Sequence, residues 1–177
     1  MATPTVALET IKLVIFDIDG VLTDGTLYYG AEGECVKPFN VKDGVGFGLL
    51  QGNGVAVAVI TAKESAPLAQ RMKDLKINHF FPGCSDKITV YERLKQQLSV
   101  VDEEAAYVGD DVLDLSVMNT VGLAIAPADA YPLVKQSARI VTEAKGGQGV
   151  AREVADLLVG ARTDLEAAYY SLVGIVQ

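Results

Sequence analysis

Four short and almost entirely apolar runs limit how this chain can fold. They are rich in β-branched residues and show no alternation with polar residues, a pattern typical of strands buried on both faces of a parallel sheet. The runs occupy residues 12–16, 55–60, 105–108 and 121–125, and a weaker run at 139–142 is typical of an edge strand.

Helical patterns lie between these runs. Apolar residues recur at helical spacing over 65–75 and 86–98, and Asp86 is placed to cap the second helix. Strands that alternate with helices predict a three-layer, doubly wound α/β fold with a mostly parallel sheet. Further helices are predicted at 111–118, 149–158 and 162–174. We expect one domain over residues 1–177, with a helical tail at 162–177, because 177 residues suit a single core.

Residues 26–40 interrupt this alternation directly after the first predicted strand. Two segments with strand-forming residues flank the sequence Gly30-Ala31-Glu32-Gly33. Glycine in a short connection between two such segments predicts a β-hairpin.

Composition excludes several classes of partner. The net charge is −8 and the sequence pI is about 4.6, which argues against nucleic acid because binding its backbone needs clustered lysine and arginine. A small anionic substrate stays possible, since a pocket can be locally positive. No apolar run approaches the roughly 18 residues that cross a bilayer, so we expect no membrane partner. Two widely separated cysteines, Cys35 and Cys84, indicate reduced thiols and a cytoplasmic location.

Acidic residues follow two of the predicted strands. Asp17 and Asp19 come after the first run, and Asp110, Asp111 and Asp114 come after the third. A turn or a helix cap would explain one or two of them. A turn or a cap explains less well why so many acids lie together, because carboxylates at one sheet edge repel one another unless a cation neutralises them. An oxygen-rich carboxylate cluster is the kind of site that Mg²⁺ prefers.

Two further residues acquire a role only if they lie beside those acids. Thr61 follows the second run, where its simplest interpretation is a helix cap, and Lys87 begins a predicted helix, where an exposed lysine is the ordinary case. Next to the acids, a hydroxyl could bond a phosphoryl oxygen and an ammonium group could offset its charge. His79 is the single histidine, which excludes a histidine-rich zinc site.

The order of these motifs resembles that of the haloacid dehalogenase-type phosphatases. The resemblance covers residues 12–159 and rests on Asp17-x-Asp19, then Thr61, then Lys87, then the acidic stretch 109–114. Segments 19–25, 39–44, 107–111 and 146–149 are similar to the branch of that superfamily that hydrolyses 3-deoxy-D-manno-octulosonate 8-phosphate for lipopolysaccharide synthesis. This resemblance implies a Rossmann-like fold without a large cap, a small anionic sugar phosphate as substrate, and a homotetramer assembled through the hairpin.

The resemblance also implies roles for the strongest candidates. Asp17 would be the nucleophile that forms an aspartyl-phosphate, and Asp19 the acid and base. Mg²⁺ would be held by the carboxylates of Asp17 and Asp110 and by the backbone carbonyl of Asp19. These assignments imply hydrolysis of a phosphate monoester.

Other residues would support this site. Thr61, Lys87 and the amides near Gly20 would hold the phosphoryl oxygens. Asp111 would lie in the outer shell of the metal, and Asp114 would orient Lys87 or a metal-bound water.

Substrate contacts are expected from residues outside these motifs. Lys63 and Lys42 could meet the carboxylate or hydroxyls of the sugar. Lys42 and Asp43 would lie near a pocket that loops or a neighbouring subunit build, although plain surface positions explain these residues as well. The run 146–149 is either a lid or a simple loop. Where the family commonly has Gly-Arg, this chain has Ala62-Lys63, and lysine cannot grip a carboxylate with a bidentate fork.

Three alternatives stay open. The same chemistry could act on another sugar phosphate, such as 2-keto-3-deoxynononate 9-phosphate, because related enzymes differ near Lys63. A phospho-accepting signalling domain also uses acids, a threonine and a lysine, but there the acidic pair comes first in the chain. A regulatory protein could keep the fold without activity, although the acids are intact at every motif position.

Overall fold

A computed structural model describes residues 7–174, and its centre is a six-stranded parallel sheet. The strands of the described chain are β1 (Leu13–Phe16), β2 (Tyr28–Gly30), β3 (Gly33–Val36), β4 (Ala56–Ile60), β5 (His79–Phe81), β6 (Ala105–Val108), β7 (Leu123–Ala126) and β8 (Ile140–Val141). In the main sheet they lie in the order β5-β4-β1-β6-β7-β8. The predicted parallel sheet is confirmed, with β1 at its centre and β8 at one edge.

Helices cover both faces of this sheet. They are α1 (Val41–Gly52), α2 (Ala66–Asp74), α3 (Lys87–Leu98), α4 (Leu115–Met118), α5 (Pro132–Ser137), α6 (Val150–Gly160) and α7 (Leu165–Leu172). Within β1, Val14 and Phe16 join the core on the side of α1, α2 and α6, whereas Leu13 and Ile15 join the core on the side of α3, α4 and α5. All four residues are buried, which is why this strand has no polar alternation.

The predicted hairpin forms as β2 and β3, an antiparallel pair outside the main sheet. Its side chains are largely exposed, including Leu27, Tyr28, Tyr29 and Val36. The predicted helix at 111–118 is a 3-10 turn, Val112–Asp114, followed by the short α4. The predicted tail helix corresponds to α7, and residues 175–177 lie outside the described part of the chain.

Helix α1 has no clear signal in the sequence, because several glycines lower its intrinsic helix propensity. The structure explains one of them. A Cβ on Gly46 would lie 2.7 Å from the carbonyl oxygen of Ala151, at the start of α6. Gly46 therefore lets α1 and α6 pack closely, and this packing outweighs the weak propensity.

Among residues 7–174, no helix is both long enough and apolar enough to span a membrane.

We predict that Gly46→Ala lowers the free energy of unfolding by about 1–3 kcal/mol, because the added methyl group overpacks the contact between α1 and α6. Gly52→Ala is the matched control at the end of the same helix, since nothing lies within 4 Å of the Cβ it would add. That control should be neutral or stabilising by up to about 1 kcal/mol. Urea unfolding of both variants measures the difference, and equal stabilities would refute the close-packing explanation.

Candidate active site

The functional candidates meet at the carboxyl-terminal edge of the sheet. Asp17 follows β1, Thr61 follows β4 and Asp110 lies just beyond β6, so the three neighbouring central strands deliver them to one place. They line a depression of ≈ 270 Å³. Its other lining residues are Asp19, Gly25, Ala62, Lys63, Lys87, Asp111 and Leu113. A larger depression of ≈ 450 Å³ at the opposite end of β4 lacks any such cluster of acids, so size alone does not mark the site.

Lys87 is the buried cation of this site. It is the first residue of α3, and its side chain is 2% exposed. Its Nζ lies 2.9 Å from Oδ2 of Asp17 and 2.7 Å from Oδ1 of Asp114. Burial lowers the pKa of Lys87, but the two carboxylates outweigh burial and raise the pKa above its usual value. The ammonium group therefore stays charged and fixes Asp17.

Asp114 is fully occupied by hydrogen bonds. Its Oδ1 accepts from Lys87 and, at 2.7 Å, from the hydroxyl of Tyr107. Its Oδ2 accepts from the backbone N–H groups of Asp110, at 3.0 Å, and Asp111, at 3.2 Å. Oxygens of Asp17, Asp110 and Asp114 lie within 4.8 Å of one another, but Asp114 would have to lose bonds to reach a cation. It is an anchor for Lys87 and for the loop that carries Asp110.

Asp17 and Asp110, by contrast, each keep a buried oxygen, Oδ1, that has no hydrogen-bond partner in the described structure. Burial and the charge of Asp114 raise the pKa of Asp17 to about 6, with Lys87 opposing them. Burial and the charges of Asp17 and Asp114 raise the pKa of Asp110 to about 8. Unpartnered carboxylate oxygens that repel each other fit a hard divalent cation, which would supply the missing positive charge.

Gly20 makes the close approach of the two acidic loops possible. Its φ is +86°, and a Cβ there would lie 2.0 Å from Oδ2 of Asp110. Any side chain at this position would therefore displace Asp110, and the strained φ adds to the penalty.

Lys37 also reaches the site, although no sequence motif marks it. It follows β3, its side chain is 1% exposed, and its Nζ pairs with Oδ1 of Asp19 and, at 2.9 Å, with Oε1 of Glu34. Burial lowers the pKa of Lys37, but the bonds to Asp19 and Glu34 outweigh burial, so the pKa is raised. Sequence pattern carries no signal for this contact, because it depends on how the hairpin folds back over the sheet edge.

Three other candidates lie around the depression. Thr61 is buried, and its hydroxyl accepts a weak bond of 3.4 Å from the amide of Lys63. Lys63 lines the depression and is exposed. Asp111 is exposed, and its Oδ1 accepts from the amide of Val112 at 2.7 Å, so it caps the 3-10 turn that holds Asp114.

One of the expected substrate contacts, Asp43, needs correction. Asp43 is buried away from the depression, and its Oδ1 accepts from the amides of Ala151, at 3.0 Å, and Arg152, at 3.3 Å. A carboxylate at this position caps the first turn of α6 and cannot meet a sugar. Lys42 is exposed and lies beside Gly149, outside the depression. The sequence places both residues near the hairpin, but α1 directs them toward α6.

The glycine-rich run at 146–149 is bonded to the first acidic loop. The amide of Gly147 donates to the carbonyl of Val21 at 3.0 Å, and Nδ2 of Asn40 donates to the carbonyl of Gly147 at 3.1 Å. A Cβ on Gly146 would lie 2.2 Å from the carbonyl oxygen of Gly20. In this conformation the run supports the loop after Asp19, which favours the simple-loop interpretation over a lid.

Comparison with known proteins shows the family to which this chain belongs. A family of haloacid dehalogenase-like hydrolases matches residues 73–154. The 3-deoxy-D-manno-octulosonate 8-phosphate phosphatase of Yersinia pestis is 45% identical over 158 residues, which are 89% of this chain and 84% of that protein.

Two solved structures are similar over most of their length. One is the 3-deoxy-D-manno-octulosonate 8-phosphate phosphatase of Moraxella catarrhalis in complex with a magnesium ion, a phosphate ion and KDO, with a TM-score of 0.88, 34% identity, and 93% of this chain and 94% of that chain covered. The other is the cobalt-bound phosphatase of Haemophilus influenzae, with a TM-score of 0.88, 41% identity, and 90% and 94% covered.

The fold and the acidic site define a phosphatase of the haloacid dehalogenase type. Within that class, the chain belongs to the family of 3-deoxy-D-manno-octulosonate 8-phosphate phosphatases. Membership of a hydrolase family opposes the signalling-domain alternative, as the order of the motifs already does.

We predict that the protein without divalent cations loses stability as the pH rises from about 6 to about 8. The folded chain keeps a proton on Asp110, whose pKa is about 8, whereas the unfolded chain has released it, so raising the pH favours unfolding. Asp110→Asn should flatten this dependence and raise the Tm at pH 8.

Asp74→Asn is the control, because Asp74 is exposed and bonds only Gln70 among the described side chains. Thermal melts in EDTA across this pH range measure the effect. A wild-type Tm that rises with pH, or an Asp110→Asn variant that keeps the wild-type slope, would contradict the prediction.

Proposed function

We propose that this protein hydrolyses 3-deoxy-D-manno-octulosonate 8-phosphate to the free sugar acid and phosphate, a step in making the lipopolysaccharide precursor. The observation that carries the proposal is the arrangement of Asp17, which is fixed through one oxygen by Lys87 and keeps the other oxygen free in the depression. Identity of 45% to a phosphatase of that name supports the choice of substrate.

Two residues carry the covalent steps. The carboxylate of Asp17 attacks phosphorus, an aspartyl-phosphate bond forms, and the bond from phosphorus to the sugar oxygen breaks as Asp19 gives its proton to that oxygen. A water molecule then gives a proton to Asp19 and attacks phosphorus. The aspartyl-phosphate bond breaks, and both carboxyl groups return to their starting states.

The phosphoryl group needs positive and hydrogen-bonding partners. Lys87 neutralises part of its charge, and the hydroxyl of Thr61 and the amide of Gly20 bond its oxygens. When bound, Mg²⁺ supplies the remaining positive charge for the transferring group. The carboxylates of Asp17 and Asp110 and the backbone carbonyl of Asp19 would hold the ion, with Asp111 and Asp114 supporting it.

The hairpin is the proposed site of assembly. The exposed surface of the hairpin includes the large apolar side chains of Leu27, Tyr28, Tyr29 and Val36, and exposed apolar surface is typical of protein–protein contacts. We propose that this surface joins four copies into a homotetramer that acts in the cytoplasm.

We predict that Asp17→Asn abolishes phosphate release, because an amide cannot form the phosphoryl intermediate. The assay compares octulosonate 8-phosphate, 2-keto-3-deoxynononate 9-phosphate and hexose phosphates, with Mg²⁺ and with EDTA. The wild type should release phosphate from the octulosonate ester only with metal.

Asp164→Asn is the matched control, because it caps α7 by accepting from the amide of Ala167 and lies outside the depression. It should keep full activity. Preference for the nine-carbon ester would keep the mechanism and change the substrate. An active Asp17→Asn variant, or a wild type that releases phosphate from none of these esters, would refute the proposal.

Lys63 is the proposed contact to the sugar acid. It lines the depression beside Thr61, and its charge would attract the substrate carboxylate. We predict that Lys63→Ala raises KM for octulosonate 8-phosphate by about 10-fold, as for loss of a charged hydrogen bond, with little change in kcat. Lys63→Arg should retain a KM near the wild-type value. A fall in kcat with unchanged KM would contradict a binding role.

A further inference from the structure

Each carboxylate of the Asp17-x-Asp19 motif has its own buried lysine. Lys87 binds Asp17 from the first turn of α3, and Lys37 binds Asp19 from the end of the hairpin. The first pair belongs to the motifs that the sequence displays. The second pair belongs to none of these motifs, and Lys37 has no role in the proposed mechanism.

Lys37 is held from two sides. Its side chain is 1% exposed, and its Nζ bridges Asp19 and Glu34, whose side chain is 9% exposed. Burying an ammonium group is unfavourable unless its partners compensate, so each of the two carboxylates helps to keep Lys37 buried and charged. Because Glu34 shares the ammonium group, the positive charge of Lys37 is divided between Glu34 and Asp19.

The contacts to Asp19 converge on one of its two oxygens. Lys37 bonds Oδ1, and the hydroxyl of Thr23 approaches the same oxygen at 3.5 Å. The other oxygen, Oδ2, is buried and has no hydrogen-bond partner in the described structure. A carboxylate fixed through one oxygen cannot rotate freely, so the orientation of Oδ2 is set by Lys37.

We infer that Lys37 is a positioning residue that fixes Asp19 through Oδ1 and thereby presents Oδ2 for proton transfer to the leaving oxygen. The inference rests on the proposed role of Asp19 as acid and base. Lys37 touches neither the substrate nor the reacting atoms, and it acts through Asp19. The hairpin thus contributes to catalysis in its own chain.

This role predicts a dependence on the leaving group. A sugar alkoxide is a poor leaving group and needs the proton of Asp19 as its bond to phosphorus breaks. A p-nitrophenolate ion is stable without a proton, so its departure depends little on Asp19. The ratio kcat/KM reports only the steps up to the release of the leaving group, which removes the later hydrolysis of the aspartyl-phosphate from the comparison.

The test is Lys37→Met, which keeps most of the side-chain length and removes the charge. We expect kcat/KM for octulosonate 8-phosphate to fall about 10- to 100-fold, within the range of acid–base catalysis, and kcat/KM for p-nitrophenyl phosphate to fall by less than about threefold. Lys95→Met is the matched control. Lys95 also bridges two carboxylates, Glu92 at 3.0 Å and Asp102 at 2.7 Å, but it lies outside the depression, so both ratios should stay at the wild-type value.

Glu34→Gln covers the case in which Lys37→Met does not fold, because it weakens the far anchor of Lys37 and leaves the ammonium group in place. It should show the same selective loss on the sugar ester at a smaller size. A double-mutant cycle with Asp19→Asn, measured on p-nitrophenyl phosphate and on the sugar ester, provides the second readout. Replacing Lys37 in the Asp19→Asn background should change neither ratio by more than about twofold if Lys37 acts only through Asp19.

Equal losses on both esters, or losses that multiply in the cycle, would show a structural role and overturn the inference while the proposed function stands. A wild type inactive on every ester would refute the proposed function, and the inference with it. Activity of the wild type together with inactivity of Asp17→Asn establishes the reaction independently of Lys37.

Discussion

The site depends on the electrostatic repulsion between carboxylates at the carboxyl-terminal ends of the central strands. The carboxyl ends of β1 and β6 bring Asp17, Asp110 and Asp114 within reach of one another, and burial makes their repulsion strong. Lys87 neutralises Asp17 and Asp114 but leaves free oxygens on Asp17 and Asp110. Those oxygens are available to bind a cation and to attack phosphorus. The repulsion that weakens the metal-free fold therefore also favours the binding of a cation.

The surrounding fold keeps these groups in place by backbone contacts as much as by side chains. Asp114 accepts hydrogen bonds from two backbone amides of its own loop, and Gly20 allows Asp110 to approach the first acidic loop. The loop that contains Gly147 forms hydrogen bonds with Val21, in the turn after Asp19, and with Asn40, the residue that precedes α1. Asp43 joins the start of α6 to α1. A rigid support of this kind keeps reacting groups aligned without the need for a large cap.

The sequence predicted the parts of this structure that follow from local pattern. Apolar runs without alternation located the main-sheet strands β1, β4, β6 and β7, because strands buried on both faces need apolar residues at every position. The acids at the strand ends were expected to lie together because parallel strands end at one edge of the sheet. Lys87 begins a helix, and it was singled out by the order of the motifs. Helix α1 was missed because Gly46 lowers helix propensity and is explained only by its packing on α6.

The residues misjudged or missed at the site share one physical reason. Asp43 is close to the hairpin in sequence, but the direction of α1 turns it toward α6, which no local pattern encodes. Lys37 reaches Asp19 across 18 positions because the hairpin folds back over the sheet edge. Contacts between separate elements depend on the tertiary structure, and a single sequence does not display them.

The central claim is that Asp17 accepts the phosphoryl group, and trapping the intermediate tests it most directly. Enzyme mixed with Mg²⁺ and octulosonate 8-phosphate is quenched in acid within one turnover, and borohydride then reduces an aspartyl-phosphate to homoserine, which peptide mass spectrometry locates. The account predicts homoserine at position 17 and at no other acid of the site. Homoserine at Asp19 or Asp110, or full phosphate release with no modified aspartate at any quench time, would contradict it.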